Sequence, residues 1–129
     1  MNDEVISEDI KQFILQNIDS ISQWEALRLM HSAPGRKWSP EDIAQSLYIA
    51  KGEAAGLLEI LSERGFLDKK ADRSSLLYRY RPNSSERRRM IDQITALYAK
   101  HLIPITHLIH SNSRNRIQKF ADAFKIRKD

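Results

Sequence analysis

The sequence predicts a mainly α-helical chain with one small β-hairpin, in which three helices precede the hairpin and a helical arm follows it. Three observations point there. Apolar residues recur at spacings of three and four through much of the first 64 positions and again from Met90. Two short runs, Phe66–Lys70 and Leu76–Arg81, read as strands around the polar segment Ala71–Ser75. Breakers fall between the periodic segments: Asp19-Ser20, Ala33-Pro34-Gly35, Gly65 and Pro82-Asn83.

Ser7 caps a first helix of about 8–18, where Ile10, Phe13, Ile14 and Ile18 share a face. Ser22 and Glu25 form an S-x-x-E capping box for a second helix that runs to about His31. Its inward residues are Trp24, Leu27 and either Leu29 or Met30. Ser39-Pro40-Glu41-Asp42 is the clearest helix start, with a hydroxyl cap, proline at the first helical position and carboxylates at the positive end. That third helix turns Ile43, Ala44 and Leu47 inward. A short connection, Tyr48–Lys51, leads to a helix of about 52–64 with Ala54, Leu57, Leu58 and Leu61 as its buried stripe. Gly65 stands where a left-handed C-terminal cap belongs. Two strands follow, and Asn83 with Glu86 caps the next helix.

The arm carries a broad apolar stripe. Ile91, Ile94, Tyr98, His101, Ile105 and Leu108 step by three and four, with Met90, Leu97, Leu102 and Ile109 beside them. A stripe that wide calls for more than one neighbour, so Ile91, Ile94, Tyr98, Ile105 and Leu108 are expected to pair two copies as a homodimer. Pro104 removes a helical hydrogen bond and crowds the carbonyl of Lys100, at a cost of roughly 3 kcal/mol in a straight helix. A kink or break is therefore expected near 101–104. A last helix is expected over about 114–126, with Ile117, Phe120, Ala121 and Phe124 on one face. The organisation is then a helix-and-hairpin domain over 1–82 and a dimerisation arm over 83–129.

Helix, helix, helix, hairpin is the order of a winged helix. The run Ser39-Pro40-Glu41-Asp42-Ile43-Ala44-Gln45-Ser46-Leu47, followed by Leu57-Leu58-Glu59-Ile60-Leu61-Ser62-Glu63-Arg64-Gly65-Phe66-Leu67, resembles bacterial winged helix-turn-helix regulators of the MarR and ArsR type. The resemblance covers about residues 22–82. It implies that the helix over 52–64 enters the DNA major groove and that the chain dimerises through its arm.

Charge is divided unevenly. Residues 1–63 hold 5 Lys/Arg against 11 Asp/Glu, residues 64–89 hold 9 against 3, and residues 90–129 hold 7 against 3. Clustered cations favour a phosphate-bearing partner, because binding releases condensed counterions. The candidate contacts to double-stranded DNA are Lys51, the hairpin residues Lys69, Lys70, Arg73, Arg79 and Arg81, and then Arg87, Arg88 and Arg89. Three arginines in a first helical turn oppose the positive helix end, as though an external anion were expected there. The helix over 52–64 speaks the other way. Its outward residues include Gly52, Glu53, Ala55, Gly56 and Glu59, with few groups able to read base edges. Two readings stay open: a small dimeric DNA-binding regulator, or a winged-helix module that docks a protein partner on the acidic helix 52–64.

Other chemistry is not signalled. There are no cysteines, so disulfides and thiolate zinc sites are excluded. His107 and His110 have the spacing of a metal pair, yet no carboxylate accompanies them, and no metal or cofactor is expected. No phosphate-binding loop, dinucleotide motif or nucleophile elbow occurs, so an enzyme is not expected. The acidic start and the lack of a long apolar run lead to the expectation of a cytoplasmic protein with no membrane partner.

Overall fold

A computed structural model of the chain describes residues 6–113. The elements are α1 (Glu8–Asn17), α2 (Ile21–His31), β1 (Lys37–Trp38), α3 (Pro40–Leu47), α4 (Lys51–Glu63), β2 (Leu67–Asp72), β3 (Ser75–Tyr80) and α5 (Ser85–Lys100). Residues 102–113 form a further helix, α6. The expected helix over 114–126 lies outside the described residues. Among the described residues no helix is long and apolar enough to cross a membrane.

The chain divides into two compact units, residues 22–96 and residues 1–21 with 97–129. In the second unit the Ser7 side chain accepts the Ile10 N–H at 3.3 Å and starts α1 as expected. Ile14, Ile18, Ile105 and Ile109 are its buried core. Buried Asn112 donates its side-chain amide to the carbonyls of Leu15 and Ile18, at 3.1 and 2.7 Å. Those carbonyls sit where a helix end leaves acceptors without intrahelical partners. The break expected near 101–104 falls at His101, between α5 and α6. Pro104 therefore lies in the first turn of α6, where its missing N–H costs no hydrogen bond.

The core of the 22–96 unit comprises Trp24, Leu27, Met30, Ile43, Leu58, Leu61, Phe66, Ile91 and Ile94 among others. Helix α2 begins two residues earlier than the sequence implies, at Ile21, so Ser22 is already inside the helix. Glu25 consequently does not close a capping box with it and instead takes the Arg28 guanidinium at 2.6 Å. At α3 the expectation holds in full. The Ser39 hydroxyl accepts the Asp42 N–H, and the Asp42 carboxylate accepts the Ser39 N–H, ahead of Pro40. His31 Nε2 lies 2.8 Å from the Asp92 carboxylate, and its ring meets Tyr80 edge-on at 5.3 Å, tying α2 to α5 and β3.

Helix α4 ends in a Schellman motif. The N–H of Gly65 bonds the Ser62 carbonyl and the N–H of Phe66 bonds the Leu61 carbonyl, both at 3.1 Å, with Gly65 at φ +88°. A Cβ on Gly65 would also stand 2.5 Å from Asn83 Nδ2, so a side chain there would be strained in its backbone and would push the Asn83 amide aside. The Asn83 N–H is committed to the Gly65 carbonyl at 2.8 Å. The Asn83 side-chain amide lies against Gly65, and the cap of α5 is Ser84, whose hydroxyl accepts the Arg87 N–H at 3.1 Å, and not Asn83 as the sequence implied.

The sheet has three antiparallel strands in the order β1-β3-β2. Its two-residue edge strand, Lys37↔Arg79 and Trp38↔Tyr78, was not foreseen because two residues carry no periodicity. The hairpin turn is also tighter than expected. Asp72 pairs with Ser75, leaving Arg73 and Ser74 as the loop. That closure needs a positive φ at the first loop residue, and Arg73 supplies it at +58°.

Candidate nucleic-acid interface

Helices α3 and α4 are joined by Tyr48, Ile49 and Ala50. Tyr48 ends α3 in the left-handed conformation (φ 58°, ψ 46°), its N–H bonded to the Ala44 carbonyl. Such a conformation costs an L-residue roughly 1–2 kcal/mol. Its ring is 95% exposed. Helix α4 then starts at Ala50 without a side-chain cap. Ala54, Leu57, Leu58 and Leu61 face the core as expected, while Lys51, Gly52, Glu53 and Gly56 are exposed.

The two regions meet at Glu59. Its carboxylate accepts Lys69 Nζ at 2.6 Å and Tyr78 Oη at 2.7 Å, joining α4 to both hairpin strands. The ammonium of Lys69 and then the phenol of Tyr78 hold the Glu59 carboxyl below the ordinary carboxylate range. Burial, reinforced by the bond to Glu59, pushes the Tyr78 hydroxyl up to about 12. A bare Glu59 would repel phosphate. Paired with Lys69, it is largely neutralised.

Strand alternation sets the rest of the hairpin. Tyr78 and Tyr80 point to the core, and Arg79 and Arg81 point outward. Burial, with the Asp92 charge adding to it, lifts Tyr80 to about 12. Its hydroxyl and the indole N–H of Trp38 are buried without a hydrogen-bond partner among the described residues. Arg79 binds the Asp68 carboxylate at 2.9 Å, and Arg81 stands 3.9 Å from it.

The predicted cations thus fall into two groups. Lys51 pairs with Glu41 at 2.9 Å, Lys69 with Glu59, and Arg79 and Arg81 with Asp68. Arg87 turns back to donate Nε to the Arg64 carbonyl at 2.9 Å, with its guanidinium 5.9 Å from the Phe66 ring centre. It thereby satisfies the negative end of α4. Lys70, Arg73, Arg88 and Arg89 are exposed and make no ion pair among the described residues. The structure adds two cations that the sequence reading passed over. Exposed Lys37 lies opposite Arg79 on β1, and Arg36 stacks over the Trp38 ring at 3.6 Å.

The proposed pairing residues are distributed differently from a simple seam. Ile91, Ile94 and Ile105 are fully buried within the single chain, and Tyr98 and Leu108 are half-buried. The exposed apolar residues of this region are Leu102 (52%) and Ile103 (76%). Ile103, Pro104, His107 and Leu108 line an open groove of about 780 Å³ with Ile6 and Lys11. Among the described residues no three His, Cys, Asp or Glu side chains are grouped to hold a metal ion.

The arrangement recurs in solved structures. The homodimeric winged helix-turn-helix DNA-binding domain of Mb0332 from Mycobacterium bovis, a possible ArsR-family transcriptional regulator, superimposes with a TM-score of 0.53. It is 17% identical and the match covers 73% of this chain and 80% of that one. The chain has the winged helix-turn-helix fold. MepR, a transcription regulator of the Staphylococcus aureus multidrug efflux pump MepA, is similar over 94% of this chain and 87% of its own, at 13% identity and a TM-score of 0.55. The adhesin competence repressor AdcR from Streptococcus pyogenes matches 82% of this chain and 79% of its own, at 14% identity and a TM-score of 0.51. No protein-family model and no curated protein matches the sequence. In winged-helix terms, α4 is the second helix of the helix-turn-helix, the β2–β3 hairpin is the wing, and Tyr48 stands at the turn.

Proposed function

We propose that the chain is a small dimeric DNA-binding protein, a transcriptional regulator and not an enzyme, that grips phosphates through its wing and the first turn of α5. The observation that carries this reading is the set of four exposed cations, Lys70, Arg73, Arg88 and Arg89, left without ion pairs on a winged helix-turn-helix. The other cations of α4, the hairpin and the start of α5 are paired with carboxylates or engaged with backbone, so these four, with exposed Lys37 beside them on β1, are the ones available to an external anion. The regulators it resembles in fold support the same reading. A second copy would cover Leu102 and Ile103 together with the half-buried Tyr98 and Leu108, while Ile91, Ile94 and Ile105 serve the chain's own core.

The test is binding to random-sequence duplex DNA across a salt series. Each phosphate contact contributes about 0.9 to the log–log slope. The Lys70→Ala/Arg88→Ala/Arg89→Ala variant is expected to flatten that slope by about 2.5 units. No binding by the unaltered chain at low salt would sink the reading and direct attention to a protein partner at the exposed acidic residues of α4.

A further inference from the structure

We propose that Tyr48 is a specificity-determining residue, whose ring makes apolar contact with base edges, thymine methyl groups above all, at the mouth of the major groove. The inference rests on the DNA-binding reading and adds to it the source of sequence preference.

Tyr48 is the most exposed large apolar side chain among the described residues, at 95%. It also holds a left-handed backbone at φ 58°, where a bulky side chain is an outlier and glycine or asparagine would fit with less strain. No packing compensates, because the ring is in solvent. An aromatic kept under strain and in water has a role outside the fold.

The neighbouring surface says what it meets. In a helix-turn-helix the second helix lies in the major groove with its N-terminal residues at the bases. Here that end of α4 offers almost nothing to read with. Ala50, Gly52 and Gly56 are exposed, a Cβ on either glycine would meet nothing within 4 Å, the Lys51 ammonium is paired with Glu41, and the exposed Glu53 could accept only from a cytosine amino group while repelling phosphate. The flat face allows close approach of the groove wall, and Tyr48 is the long side chain left at its edge. Apolar contact with the thymine methyl is the form of base reading open to a ring. The wing cations supply attraction without sequence preference, and Tyr48, being uncharged, supplies preference without changing the salt response.

The experiment uses the full chain. Duplexes are selected from a random pool by the unaltered protein, and the chosen duplex is remade with deoxyuridine for thymidine. Binding of both is then measured for the unaltered chain, Tyr48→Phe, Tyr48→Asn and Tyr48→Gly. Tyr48→Phe is expected to stay within about threefold on the selected duplex, since an apolar ring is retained. Tyr48→Asn and Tyr48→Gly are expected to bind it at least about tenfold more weakly, the cost of a lost base contact. Both should match the unaltered chain on random duplex, with the same salt slope. Removing the methyls should weaken the unaltered chain and leave these two variants unchanged. Tyr48→Gly should also melt about 4 °C higher as the strain is relieved, which separates loss of contact from loss of folding. Full-strength binding of the selected duplex by Tyr48→Asn and Tyr48→Gly overturns the assignment and leaves the DNA reading standing. Selection that yields no preferred sequence overturns it as well. Failure of the unaltered chain to bind any duplex at low salt overturns both, and would pass Tyr48 to a protein partner.

Discussion

Helix α4 and the wing present two different outer surfaces. On α4 the inner face is fully spent on Ala54, Leu57, Leu58 and Leu61, and the outer face is sparse, with Gly52 and Gly56 opening onto empty space between the exposed Lys51 and Glu53. On the wing the inner positions are Tyr78 and Tyr80, and the outer positions are long cations. A helix with small outward residues permits approach; a hairpin with long basic ones supplies attraction. The difference teaches that, on the proposed DNA-binding reading, the element that would enter a groove is not the element equipped to hold a phosphate. Glu59 joins the two, so that approach and attraction are fixed relative to each other.

That comparison is most severely tested at Gly65, where α4 passes into the wing. Gly65→Ala places a side chain at φ +88° and against Asn83. A loss of about 2 kcal/mol is expected in urea unfolding, combining left-handed strain with displacement of the neighbour. A loss below about 0.5 kcal/mol would mean that the joint is slack.

Tyr78→Phe tests the joint between the surfaces by removing one of the two donors to Glu59. A loss of about 1 kcal/mol at neutral pH is expected, the usual worth of such a bond. Its pH dependence is more telling. A tyrosine whose folded value is raised keeps its proton in the native state while the unfolded chain ionises. Stability is then complete below pH 10 and falls as pH rises toward about 12. Tyr80 behaves the same way, so Tyr78→Phe should remove roughly half of that alkaline fall. An unchanged fall would show that neither burial nor Glu59 holds the Tyr78 proton in the folded state.

The smallest effect is expected at the wing tip. Arg73 adopts φ +58° in the two-residue turn, a position suited to glycine. Arg73→Gly should stabilise the fold by about 0.5 kcal/mol and weaken DNA binding by one phosphate contact. A stabilised variant with an unaltered salt slope would remove Arg73 from the interface.

What the sequence disclosed follows the range of the forces involved. Ser7, Ser39-Pro40 and Gly65 act within a few residues, so the helix boundaries they set were legible. Arg87 was read as a phosphate ligand because its bond to the Arg64 carbonyl spans 23 positions and leaves no local trace. The apolar stripe of the arm was visible, but periodicity records that a face is covered and not by what; Ile91, Ile94 and Ile105 prove to be covered within the chain. Strand β1 was too short to register. Tyr48 passed as an ordinary connection, because an aromatic residue is the last that turn statistics would place at positive φ.

Between Arg64 and Arg87 the end of α4 is fastened twice to the start of α5. The Gly65 carbonyl takes the Asn83 N–H, and the Arg64 carbonyl takes the Arg87 guanidinium. Helix α4 therefore cannot roll about its own axis without cranking the first turn of α5 with it. On the proposed DNA-binding reading, a shift of the first turn of α5 would be passed to the end of α4.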